Sequence, residues 1–198
     1  MTNTIPKLYG LILSGGKSIR MGKDKGLIKY HSLPQREYLY DLANQVCEKT
    51  YISLREEQKT DLPSNMEPIV DLNQFKGPYN GLLSAHIKYP EVAWLVIACD
   101  LPLIQLDTLK ELISQRNPTK NATAFALEEN PLPEPVFAIW EPQALQSSLS
   151  YLQNGISTCP RKFLINTDTK LVFPKDENVL LNANSIEEYN KAVLELNK

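Results

Sequence analysis

The 198-residue chain is 42% hydrophobic and 22% charged, with a formal net charge of −2. That balance suits one globular domain over residues 1–198 and argues against a general nucleic-acid binder, which needs a surplus of Lys and Arg, while leaving a small anionic substrate open. Cys47, Cys99 and Cys159 are odd in number, far apart and without a C-x-x-C pair, so a reducing compartment is expected in place of a disulfide or zinc framework. With no apolar signal core and no bilayer-length apolar run, a cytoplasmic location with no membrane partner is expected.

Taken in chain order, the first apolar run is 8–13, which stops at Ser14-Gly15-Gly16. A short, continuously apolar run suits a strand buried on both faces of a parallel sheet. A helix is expected over 35–48, then strands over 50–54 and 68–71. Gly77-Pro78 opens a helix reaching about position 88. The strongest strand signal is 92–99, ended by Asp100-Leu101-Pro102, where Pro cannot continue a ladder. A helix over 107–115 should follow. Strands are expected over 122–127 and 136–140, separated by the Pro-rich turn 130–135, and then a helix over 144–152. Ser185 with Glu188 three residues on forms a capping box that starts the last helix. Alternating strands and helices predict an α/β fold with a mainly parallel sheet, whose ligands sit at the carboxyl ends of the strands. Gly15-Gly16 and Asp100 both fall at such ends.

The segment from Leu13 to Lys25 carries most of the chemistry. Its glycines let backbone N–H groups approach an anion, and Lys17, Arg20, Lys23 and Lys25 supply four cations. A triphosphate needs both, amides to cradle it and cations to neutralise it. Walker A spacing requires glycine at position 11, which is Leu, and the G-x-G-x-x-G spacing is also absent. Asp100, projecting from the end of the most hydrophobic strand, suits Mg²⁺, which takes one or two carboxylates together with phosphate oxygens and water. An Asp at this point can equally cap the next turn.

The pattern L-x-G-G-x-S-x-R-M-G-x-D-K, read from Leu13 to Lys25, resembles the MobA-like nucleotidyltransferases, and most of all their molybdenum cofactor guanylyltransferase branch. Asp71, Gly77-Pro78-x-x-Gly81, Cys99-Asp100-x-Pro102 and Asn182-x-Asn184 follow in the family's order, so the resemblance covers nearly the whole chain. It implies a three-layer α/β/α sandwich with a Rossmann-like sheet of the nucleotide-diphospho-sugar-transferase type. It also implies an Mg²⁺-dependent transfer of GMP from GTP to the phosphate of molybdopterin, with pyrophosphate leaving.

By the same resemblance, Leu13, Ser14, Gly15 and Gly16 meet the nucleotide, Asp71 its nucleoside end, and Gly77 and Gly81 the surroundings of the base. Arg20 and Lys25 stabilise charge on the α-phosphate, and Asp100 holds the metal. Asn182 and Asn184 bond near metal and phosphate, or simply cap the following helix. Contact with proteins of the cofactor pathway is implied too, while monomer and homo-oligomer stay open. A related transferase using CTP or another phosphorylated acceptor, and a non-catalytic nucleotide-binding protein, are the alternatives. The chain departs from the family pattern at Tyr30-His31-Ser32-Leu33-Pro34, where Gly-Lys-Pro is usual, and at Ser185-Ile186, where Thr-Pro is usual. It follows the pattern only loosely over 154–161. Arg161 and Lys162 either meet the anionic acceptor or lie in a solvated helix start. His31 and His86 have no partner spacing and receive no role.

Overall fold

The two strongest apolar runs lie side by side at the centre of a sheet. The computed structural model describes residues 4–16 and 24–197. Within them β1 (Leu8–Leu13) pairs in parallel with β4 (Ala93–Ala98) on one side and with β2 (Lys49–Leu54) on the other. The remaining strands are β3 (Pro68–Val70), β5 (Ala122–Phe125), β6 (Phe137–Trp140) and β7 (Thr169–Val172), and the order is β3-β2-β1-β4-β6-β5-β7. Only β6 runs against its neighbours β4 and β5. β7 joins the far edge, parallel to β5. The expected mainly parallel sheet is what forms.

Side-chain alternation splits the core between the two faces of this sheet. Ile12, Ile52, Leu95, Ile97 and Ile139 face a layer that includes α1 (Gln35–Asn44) and α3 (Leu106–Ser114). Leu11, Tyr51, Trp94, Val96 and Trp140 face α2 (Tyr79–Lys88), α4 (Pro142–Gln153) and α5 (Pro160–Ile165). Helices on both faces give the three-layer sandwich. Each fully buried Leu or Ile in it contributes about 1.5–3 kcal/mol of transfer free energy. The last helix, α6 (Ile186–Leu196), begins at the expected capping box, with Ser185 and Glu188 reciprocally bonded.

Several boundaries differ from expectation, two of them for a visible reason. Helix α1 stops at Asn44 instead of 48, because the amides of Gln45 and Val46 turn back to the carbonyls of Leu42 and Ala43 in a tight turn. Strand β5 ends at Phe125, and half-exposed Leu127 lies beyond the ladder. Strand β7 and helix α5 carry no clear sequence signal and appear only in the folded chain.

Candidate functional site

The carboxyl ends of β1, β2, β3 and β4 open into one cleft of about 480 Å³. The start of α2 and, because β6 is reversed, the residue before its amino end, Val136, complete the walls. Leu13, Ser14, Gly15, Gly16, Lys25, Asp71, Gly77, Gly81 and Asp100 all line it. Parallel topology therefore brings together nearly every residue singled out from the sequence. Arg20, Lys17 and Lys23 lie outside the described residues.

Two glycines allow close approach within the cleft. A Cβ on Gly15 would come within 2.5 Å of Asp71 Oδ2, and one on Gly81 would meet the Ser53 hydroxyl and, at 2.9 Å, Leu13 Cδ2. Gly77 has φ +59°, a left-handed backbone that side chains other than hydrogen rarely adopt. The wall they shape holds the Asp71 carboxylate, which accepts from Ser53 Oγ at 2.6 Å and from Asn80 Nδ2 at 3.2 Å. Burial raises the Asp71 pKa above its ordinary value. The bonds from Ser53 and Asn80 and the nearby Arg55 charge oppose that rise.

Arg55 follows β2 directly and donates from Nη1 to the Gly15 carbonyl at 2.8 Å. Gln58, buried in the 3₁₀ turn Glu56–Asp61, donates to the Ser14 carbonyl at 3.1 Å and to the Asp24 carboxylate. These two side chains pin the glycine bend, and Arg55 also lines the cleft. Sequence reasoning missed Arg55, Ser53 and Asn80. The signal available was position: Ser53 and Arg55 flank the end of a parallel strand, and Asn80 lies in the first turn of the helix that Gly77-Pro78 opens.

At the other end of the cleft, the Lys25 ammonium lies 3.4 Å from Asp100 Oδ2 and donates to Asn184 Oδ1. Lys25 begins a 3₁₀ turn capped by Asp24, whose Oδ1 accepts from the Gly26 amide at 2.9 Å. The Ala183 amide donates to the Asp100 carbonyl at 2.8 Å, which brings the C-terminal segment to the site. Neither asparagine of the pair lines the cleft itself: Asn184 meets it through Lys25, and the Asn182 side-chain amide donates to the Leu180 carbonyl at 3.4 Å. Asp100 Oδ1 is buried with no hydrogen-bond partner. A carboxylate oxygen so placed is a ready ligand for a hard cation. No cluster of three or more His, Cys, Asp or Glu able to hold a metal occurs among the described residues. The donor set therefore fits a divalent cation that takes one protein carboxylate and fills its other positions with phosphate and water oxygens.

Cys99, in the cleft floor, is buried, and its thiol is pushed up to about 12, chiefly by desolvation. It is a core residue and not a nucleophile. Arg161 opens α5 and donates to the Pro133 carbonyl at 3.1 Å and to Glu134 Oε2 at 2.5 Å. Burial raises the Glu134 pKa against the pull of the Arg161 charge. Lys162 is exposed. His86 is buried, whereas His31 bonds the Pro102 carbonyl. No helix among the described residues is long and apolar enough to cross a membrane.

A molybdenum cofactor biosynthesis bifunctional protein of Synechocystis is 39% identical over 185 residues, 93% of this chain and 53% of that protein. A probable molybdenum cofactor guanylyltransferase of Flavobacterium johnsoniae is 34% identical over 127 residues, 64% of this chain and 65% of that protein. The chain thus spans about half the length of the first relative and just under two thirds of the second. Among solved structures, the molybdopterin-guanine dinucleotide biosynthesis protein A of Archaeoglobus fulgidus superposes with a TM-score of 0.77. The match is at 18% identity and covers 96% of this chain and 98% of that one, a likeness of fold. Residues 10–169 match the family described as the MobA-like NTP transferase domain. With that match laid over the glycine bend, the Asp71 wall and the Asp100 turn, the chain belongs to the MobA-like NTP transferase family.

Proposed function

We propose that the protein transfers GMP from GTP to the phosphate of molybdopterin in the cytoplasm, forming a guanine dinucleotide cofactor and releasing pyrophosphate. One observation carries the reading. The glycine bend and Asp71 form one end of a single cleft, and Lys25 and Asp100 lie at the other, with Asn184 behind them on the Lys25 ammonium. The cleft thereby offers a nucleoside end and a phosphate end. The family membership and the named relatives supply the substrates.

In this reading Leu13, Ser14 and Gly15 lie against base and ribose, and Asp71, held by Ser53 and Asn80, accepts from the nucleoside. Gly77 and Gly81 leave room for the base. The Gly16 amide and the Lys25 ammonium face the phosphates, with Arg20 as a second cation and Asn182 and Asn184 as hydrogen-bonding neighbours. Asp100 would hold Mg²⁺, which when bound would neutralise charge on the phosphate oxygens. An acceptor phosphate oxygen forms a new bond to the α-phosphorus while the bond to pyrophosphate breaks. The attacking group is already anionic, so positioning and fixed cations suffice without a general base. Contact with proteins that deliver or receive the cofactor belongs to the same reading, and a native pulldown tests it.

Pyrophosphate release from GTP with molybdopterin and Mg²⁺ tests the proposal. Asp100→Ala should lower the rate by about 10²–10³-fold, the size seen when one preorganised electrostatic contact is lost. A thermal-shift panel with GTP, CTP, ATP and UTP in Mg²⁺ should show GTP stabilising most. Greatest stabilisation by CTP would overturn the guanine assignment. Nucleotide binding without turnover, unchanged in Asp100→Ala, would overturn the transferase itself.

A further inference from the structure

The turn that carries Asp100 is buried from Leu101 to Ile104, yet its carbonyls belong to neither strand nor helix, since β4 ends at Ala98 and α3 starts at Leu106. Buried carbonyls need donors. The Asp100 carbonyl takes the Ala183 amide. Three others take side chains from residues 31–38, the first turn of α1 and the loop that leads into it. Gln35 Nε2 donates to the Leu101 carbonyl at 3.2 Å, His31 Nε2 meets the Pro102 carbonyl at 3.0 Å, and the Tyr38 hydroxyl donates to the Ile104 carbonyl at 3.2 Å. A carbonyl only accepts, so His31 carries its proton on Nε2. The His31 ring is stacked on Tyr38 with centroids 3.7 Å apart. Gln35 is fully buried. His31 lies in the stretch where this chain departs from the family's Gly-Lys-Pro turn.

We propose that His31, Gln35 and Tyr38 form a positioning clamp that fixes the Asp100 carboxylate for the metal. The inference rests on the reading of Asp100 given above. Gln35 and Tyr38 in the first turn of α1, and His31 in the loop just ahead of it, bond three of the four carbonyls from Leu101 to Ile104, so the turn follows α1 as a rigid unit. Asp100 Oδ1 is thereby held without a hydrogen bond of its own, and its orientation comes from the main chain that carries it. Groups that orient a metal-holding carboxylate typically change metal affinity by about 10–100-fold when lost.

The test is Mn²⁺ binding to the full chain with GTP, followed by electron paramagnetic resonance, beside thermal unfolding. Gln35→Met keeps the shape and removes the donor, and should weaken Mn²⁺ binding about tenfold or more. His31→Phe, which keeps the stack on Tyr38, should weaken it in the same direction, and His31→Gln, which restores an N–H, should recover it. A merely structural role would lower the melting temperature of these variants while leaving the Mn²⁺ affinity of the folded protein unchanged. That result overturns the clamp. Wild-type Mn²⁺ affinity indifferent to Asp100→Ala would instead overturn the metal reading, and the clamp with it. Binding that needs Asp100 but ignores both Gln35→Met and His31→Phe overturns the clamp alone.

Discussion

Asp71 sits where binding and stability pull in opposite directions. Its pKa is raised above 3.8 in the fold, mainly by burial. A carboxyl so shifted contributes stability that is fully present below pH 3.8 and is lost as pH rises through the folded value. At neutral pH its burial therefore works against the fold. Urea unfolding of Asp71→Asn and wild type across pH 3–7 should show the difference moving in the variant's favour as pH rises. The same variant should bind GTP about 10–100-fold more weakly, since a charge-assisted hydrogen bond is worth about 1.5–3 kcal/mol. Asp71, Lys25 and Asp100 could be read from the sequence because each sits in a short motif. Ser53, Arg55, Gln35 and Gln58 could not. A polar residue in a strand end or on the buried side of a short helix breaks no periodicity, and only the partner across the fold shows what it holds.

Between elements, the clearest polar tie is Arg116 with Glu141. Glu141 is fully buried at the start of α4 and accepts from Arg116 Nε at 2.7 Å and Nη2 at 2.9 Å. Arg116, just past α3, also donates to the Pro6 carbonyl ahead of β1. One guanidinium thus joins the ends of elements on both faces of the sheet. Glu141→Ala would strand a buried cation and should cost about 3–5 kcal/mol in urea unfolding. Glu141→Gln keeps an acceptor and should cost less. Element by element, β1 and β4 were legible because strands buried on both faces leave continuous apolar runs. Strand β7, Thr-Lys-Leu-Val, lies at the sheet edge with only Val172 buried, and α5 has six residues, so neither leaves a periodic trace. The reversal of β6 was not legible either: its burial on both faces gives the same apolar run whichever way the strand points.

Across the whole molecule the site draws together early and late segments of the chain, since Lys25 and Asn184, 159 positions apart, are hydrogen-bonded. A ligand seated between them stabilises the native state as a unit, by about 2.7 kcal/mol at a hundred times its dissociation constant. GTP with Mg²⁺ should therefore raise the melting temperature of the wild type more than GTP alone, and Asp100→Ala should lose that extra increment. The overall layering and the meeting of the glycine bend with Asp100 followed from strand–helix alternation. The meeting of Lys25 with Asn184 was implied only by the family resemblance, because no local pattern records a contact over that separation.

The backward course of β6 has a practical corollary for redesign. Residues that close the other central strands face the cleft, but here it is the residue preceding the strand, Val136, that does so. The proline-rich stretch ahead of it is anchored at its far half, by the Trp140 indole on the Pro135 carbonyl, by Arg161 on the Pro133 carbonyl and Glu134, and by the Glu134 amide on the Phe125 carbonyl, while 127–132 are exposed. A library confined to the exposed positions 127–132 leaves those anchors in place, and the glycine bend and Asp71, contributed by strands on the opposite side of β4, keep their geometry.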